Sequence, residues 1–231
     1  MTVSRMRVPV PGTELAYDES GDLDAPPAVL LHALGEAAED WADLAPRLAP
    51  DHRVLAFDLR GHGDSGRPGE YSSALMADDV VAALDALGVR GALLIGHSLG
   101  GVVAFRLAAV RPDLVSLLVV EDVCPPYDRE RPLPQRPEGV ELPFDWDVIP
   151  AIAAESGVTD QPAWDALADI EAPTLLIGGG PTSHVPAERL EEVVARIPAC
   201  TLVTLDGGHH VHRAEPERFA ETVLGWLADR G

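Results

Sequence analysis

A chain of 231 residues suits one α/β domain, and an apolar content of 46% can bury a sizeable core, which excludes an intrinsically disordered protein. With 38 acidic against 17 basic residues the formal charge is -21, so the surface repels nucleic acid and anionic membranes, and neither is expected as a partner. A cleft that recruits a cationic substrate is one use of such charge; a solvated acidic face is the plainer one.

The opening residues read as a hairpin, with short strands at 5–10 and 13–18 and Pro11-Gly12 as the turn. A loop over 21–27 leads to Ala28-Val29-Leu30-Leu31, a continuous apolar run of the kind that a strand buried on both faces shows. Residues 38–48 predict a helix and 53–58 the next strand. Ser72 or Ser73 caps a helix that ends at Leu87 with Gly88 beyond; its apolar residues Leu75, Val80, Val81, Leu84 and Leu87 recur near helical spacing. Strand 91–96 runs into helix 99–110, which Arg111-Pro112 ends, and a very apolar strand covers 114–120. Strand 173–177, helix 187–197, strand 201–205 and helix 216–228 complete the chain.

Strands alternating with helices, most of them apolar throughout, predict an α/β fold. One domain over 1–231 is expected, a mostly parallel central sheet of about eight strands with helices on both faces. The interruption is about 124–161, rich in proline and charge with Phe144 and Trp146 embedded, and it predicts a short, irregular lid insert after strand six. Cys124 and Cys200 make neither a disulfide framework nor a metal spacing and fit reduced thiols. Residues 1–10 lack the apolar stretch of a signal peptide, and no apolar run reaches the ~18 residues of a membrane span. The expectation is a soluble cytoplasmic protein, monomeric or homodimeric.

The strongest chemical signal is Gly96-His97-Ser98-Leu99-Gly100-Gly101, a G-x-S-x-G pattern between an apolar strand and a helix. A serine on such a sharp turn is held in strained backbone above the sheet, and glycines two residues either side let the neighbouring chain approach. Leu30-Leu31-His32-Ala33-Leu34-Gly35, the stretch Phe57-Asp58-Leu59-Arg60-Gly61-His62-Gly63-Asp64-Ser65, and Gly208-His209-His210-Val211-His212 with Glu215-Pro216 beyond follow the same order as segments of a known family. On these four segments the chain resembles the α/β-hydrolases over nearly its whole length.

The resemblance implies a serine hydrolase with Ser98 as nucleophile and His209 as general base, His210 and His212 being its competitors in the same loop. The oxyanion hole would be the backbone N–H groups of Leu99 and Leu34, although Ala33 stands where the family usually has glycine. The acid that usually follows strand seven is missing from residues 177–186, so it is expected after strand six, at Asp122 or alternatively Glu121. Asp58, Arg60 and Asp64 are expected to brace the surrounding loops. His32, His97, Trp41, Phe144 and Trp146 are candidates for the pocket wall, with Trp164 as a further aromatic.

No histidine spacing matches H-E-x-x-H, so no metal is expected, and the resemblance implies no cofactor. The expected reaction is hydrolysis of an ester or related acyl bond of a small molecule through an acyl-enzyme. Acyl transfer and carbon–carbon bond hydrolysis use the same triad, and the missing strand-seven acid also motivates a lapsed member that only binds a small ligand.

Overall fold

In the computed structural model, which describes residues 2–130 and 132–230, the predicted hairpin is present: β1 (Ser4–Val10) and β2 (Thr13–Ser20) pair antiparallel across Pro11-Gly12. The strands that follow are β3 (Pro27–Leu31), β4 (Arg53–Phe57), β5 (Ala92–His97), β6 (Val115–Glu121), β7 (Thr174–Gly178) and β8 (Cys200–Thr204). They form one eight-stranded sheet in the order β1-β2-β4-β3-β5-β6-β7-β8. β2 meets both its neighbours antiparallel; every other pairing is parallel.

Side chains on a strand alternate between faces, and here both faces are apolar because both are covered. Val29, Leu31, Leu94, Leu118, Val120 and Leu176 belong to one core cluster, with residues of α2 (Ser73–Ala86), α3 (Leu99–Val110) and α6 (Ala187–Arg196). Ala28, Leu30, Leu93, Ile95, Val119, Leu175 and Ile177 belong to the other, with Trp41, Leu48 of α1 (Ala45–Leu48), and Phe219, Val223 and Trp226 of α8 (Pro216–Ala228). Leu30, Leu31, Ile95 and Leu118 are fully buried, each contributing about 1.5–3 kcal/mol on transfer from water. Ser72 caps α2, its side chain accepting the Leu75 N–H at 3.0 Å.

Two predicted elements differ. Residues 38–48 do not form one helix: a 3-10 turn at Ala38–Trp41 is followed by the short α1. Pro46, inside the expected run, has no N–H to continue a helical ladder and sits in the first turn of a new one. The segment after β6 is irregular only at first; α4 (Val148–Ser156) occupies its second half and α5 (Gln161–Ala166) begins at its end.

Polar contacts pin this segment to the domain. The Tyr71 hydroxyl donates to Asp145 at 2.6 Å, the Ser73 N–H to Glu155 at 3.0 Å, and the Trp164 indole N–H to the Pro126 carbonyl at 2.9 Å. Arg106 on α3 pairs with Asp160 at 2.6 Å. No helix among the described residues is long and apolar enough to cross a membrane.

Candidate active site

The loops leaving the carboxyl ends of neighbouring parallel strands converge, and such ends are where open α/β sheets build their sites. β5 delivers Ser98, β6 Asp122, β7 the segment containing Gly179 and Ser183, and the loop after β8 His209.

Ser98 has φ 50° and ψ -111°, and Asp122 has φ 44°; among the described residues these are the two non-glycines with positive φ. Each such distortion costs about 1–3 kcal/mol and persists only where the surroundings enforce it. The glycines explain how the turn at Ser98 fits. A Cβ on Gly96 would lie 2.4 Å from the Gly100 carbonyl oxygen, and one on Gly100 would lie 2.2 Å from that of Leu31. The Gly100 N–H donates to the His32 carbonyl at 3.1 Å, tying the turn to the loop after β3.

His209 Nε2 is 2.9 Å from Ser98 Oγ, and His209 Nδ1 is 2.7 Å from Asp122 Oδ2. The Asp122 carboxylate is fully buried and also accepts the Gly179 N–H at 2.8 Å and the Ser183 hydroxyl at 2.5 Å. Burial alone would raise its pKa; the hydrogen bonds from His209, Ser183 and the Gly179 amide outweigh that and hold it below the usual aspartate value. The ionised carboxylate orients the imidazole so that Nδ1–H donates to it and Nε2 faces the serine.

Glu121 takes a different partner. It is the last residue of β6, whereas Asp122 follows the strand in left-handed backbone, so the two side chains are directed apart. Its carboxylate accepts the His212 N–H at 2.9 Å and lies 2.7 Å from His212 Nδ1. His212 Nε2 lies 2.9 Å from Asp40 Oδ1, which Arg213 also reaches at 2.5 Å. Burial would lower the His212 pKa, but the two carboxylates raise it to about 9. His210 is half exposed, 3.9 Å from Glu36. Of the three candidate bases in this loop, His209 is the one at Ser98.

Asp40, His97 and His212 offer three donor atoms within 4.8 Å of one another. His212 spends both ring nitrogens on carboxylates and holds its proton, so it has no lone pair for a metal at neutral pH.

Leu34 and Leu99 both border the cavity at Ser98. Leu99 is the first residue of α3, where backbone N–H groups have no helical acceptor and the helix dipole favours negative charge. Ala33 keeps an ordinary negative φ, and Gly35 supplies the left-handed step in that loop. Its methyl is therefore accommodated without backbone strain. Asp58 braces the same region, accepting the Ala38 N–H at 2.7 Å and the Asp64 N–H at 2.8 Å. Arg60 forms a buried pair with Asp79, 2.6 Å apart.

The cavity holds about 60 Å³ and is walled mainly by Leu34, Val102, Val123, Pro125, Tyr127 and Ile152, with Ser73, Arg129, Glu155 and His184 adding polar groups. The aromatic and histidine wall expected from sequence is elsewhere. Trp41 is fully buried on the other face of the sheet, 4.8 Å from the His212 ring. Phe144 lies against Gly35 and stacks with Trp146 at 6.4 Å. His32 is a buried strut: Nδ1 meets the Ala33 carbonyl at 2.7 Å and Nε2 accepts the Leu59 N–H at 2.9 Å, and burial pushes its pKa down to about 4. His97, also depressed by burial to about 4, donates through Nε2 to the His209 carbonyl at 2.7 Å. It supports the His209 loop through that contact.

A family model described as alpha/beta hydrolase fold matches residues 26–149. The chain belongs to the α/β-hydrolase fold family. RutD of Stutzerimonas stutzeri is 32% identical over 250 residues, spanning 90% of this α/β-hydrolase and 93% of its own length. Esterase YbfF of Escherichia coli is 27% identical over 246 residues, covering 88% and 93% of the two chains. The crystal structure of a hydrolase from Pseudomonas aeruginosa superposes with a TM-score of 0.81 at 28% identity, covering 98% of both chains.

Sequence reasoning missed several residues of this α/β-hydrolase site. Ser183 holds the acid, and the His184 ring lies 4.0 Å from that of His209, tilted by 51°. Both lie in the acid-less segment after β7, where the missing carboxylate was the available signal. Tyr127, Arg129 and Glu155 come from the insert, whose composition does not say which side chains turn inward.

Proposed function

We propose that this hydrolase cleaves esters of short-chain acids through an acyl-enzyme on Ser98. The observation that carries the reading is the continuous chain from Ser98 Oγ to His209, 2.9 Å, and from His209 to the buried Asp122, 2.7 Å. In the first half-reaction Ser98 Oγ attacks the ester carbonyl while His209 Nε2 takes its proton. The carbonyl oxygen becomes an oxyanion held by the Leu34 and Leu99 amides, each worth about 3 kcal/mol at the transition state. The tetrahedral intermediate collapses, and the leaving alkoxide receives the proton from His209. Water, deprotonated by His209, then attacks the acyl-serine; the acid leaves and Ser98 regains its proton. Asp122 keeps its charge throughout and stabilises the imidazolium.

The small cavity supports short acyl groups. The similarity to esterase YbfF supports ester chemistry. Cys124 borders the cavity, but burial pushes its thiol up to about 12, so it is no rival nucleophile. Both cysteines are unpaired, which supports a cytoplasmic location.

A fluorophosphonate probe and a p-nitrophenyl ester series test the reading. Wild type should label promptly and Ser98→Ala should not, and turnover should fall as the acyl chain lengthens beyond about butanoate. Labelling that survives in Ser98→Ala refutes the nucleophile; preference for long chains refutes the substrate class.

A further inference from the structure

The chain contains no lysine; its 17 cations are all arginines, set among 38 acids. In so acidic a protein an arginine away from solvent finds a carboxylate almost by default. Among the described residues seven arginines are not exposed, and six are paired with carboxylates: Arg53 with Glu19, Arg60 with Asp79, Arg106 with Asp160, Arg111 with Asp85, and Arg189 and Arg196 with Glu192. The seventh is Arg129, on the wall of the Ser98 cavity.

Among the described residues Arg129 has no carboxylate within ion-pair distance. Its contacts are with Tyr127: the ring lies 5.0 Å from the guanidinium carbon and the hydroxyl 3.4 Å from one terminal nitrogen. Its Nε is buried with no hydrogen-bond partner. The backbone is fixed, because the Arg129 N–H donates to the Gly157 carbonyl at 3.3 Å and Asp128 and Thr159 bond reciprocally beside it. The two carboxylates on the cavity wall are already engaged. Glu155 accepts the Ser73 N–H at the start of α2, where the helix dipole favours its charge, and Asp122 holds His209.

We infer that Arg129 binds a carboxylate on the substrate, so that the preferred ester is a half-ester of a short dicarboxylic acid. This rests on Ser98 hydrolysing esters in the same cavity. A guanidinium fork suits a carboxylate, and among the described residues none supplies one to this cavity-lining arginine. The acidic surroundings repel an anion at long range, so the selectivity comes from contact with this one side chain.

The test compares monoethyl succinate with its neutral near-isostere ethyl succinamate. Wild type should favour the carboxylate by ~10–100-fold in kcat/KM, mostly through KM, the scale of a charge-assisted hydrogen bond. Arg129→Gln should erase the preference by lowering kcat/KM on the half-ester far more than on the succinamate, and Arg129→Lys should restore part of it. No preference in wild type, or an equal loss on both esters in Arg129→Gln, overturns the inference. Calorimetric titration of monoethyl succinate into Ser98→Ala protein separates it from the hydrolase reading. Binding that disappears in Ser98→Ala/Arg129→Gln supports the anion site even if wild type turns over neither ester; absence of binding overturns it.

Discussion

Asp122–His209 and Glu121–His212 are neighbouring copies of one contact, a carboxylate at the end of β6 against a histidine of the C-terminal loop, 2.7 Å in both cases. Their fates differ because of what lies beyond each imidazole. His209 turns its second nitrogen to a neutral hydroxyl and is 18% exposed on its side chain; His212 turns its own to a second carboxylate and is 5% exposed. The first arrangement can accept a proton and return it. The second keeps its proton and clamps the loop. A histidine–carboxylate distance therefore does not identify a catalytic pair; the group on the far nitrogen does.

Swapping the carboxylates one at a time breaks the comparison most sharply. Asp122→Asn should lower kcat by ~10⁴ with little change in KM, because the amide favours the wrong tautomer of His209. Glu121→Gln should act on folding instead. Leaving His212 with one carboxylate in a buried site should cost about 3–5 kcal/mol, seen as a lower denaturation midpoint.

The clamp also has a pH signature. His212 titrates near 6.5 when unfolded and at about 9 when folded. The folded value is raised, so the stabilisation is complete below about 6.5 and is lost as pH rises through about 9, on the order of 3 kcal/mol in total. Denaturation at pH 6 and pH 9 should show that loss in wild type and a flatter profile in His212→Gln.

Smaller effects sharpen the contrast. Ser183→Ala removes one of the bonds to Asp122 and should reduce kcat by about tenfold, the scale of a single hydrogen bond to a charged group. His210→Ala, at the half-exposed histidine between the two pairs, should change stability by less than about 0.5 kcal/mol and leave turnover near wild type.

The strands and the order of the four motif segments were legible because each depends on local signals: apolar runs buried on both faces, and glycines forced by close backbone approach at positions 96 and 100. Prolines misled in two places. Pro46 breaks the expected helix at 38–48, whereas Pro150 sits inside the first turn of α4, where a missing N–H costs nothing, so a proline-rich stretch concealed a helix. The large aromatics were misplaced for a related reason. Trp41 looks equally suited to a pocket and a core, and only the three-dimensional packing puts it beside Phe219 and His212. Asp122 and Glu121 were separable only once the left-handed turn at Asp122 and the loop after β8 were fixed in space.

The acyl-enzyme proposed on Ser98 is a covalent species, and intact-protein mass spectrometry of samples quenched during turnover of a short-chain p-nitrophenyl ester detects it. A transient adduct with the mass of the acyl group is expected on the peptide containing Ser98. Steady hydrolysis with no adduct under rapid quench, or an adduct on another residue that survives in Ser98→Ala, would contradict it.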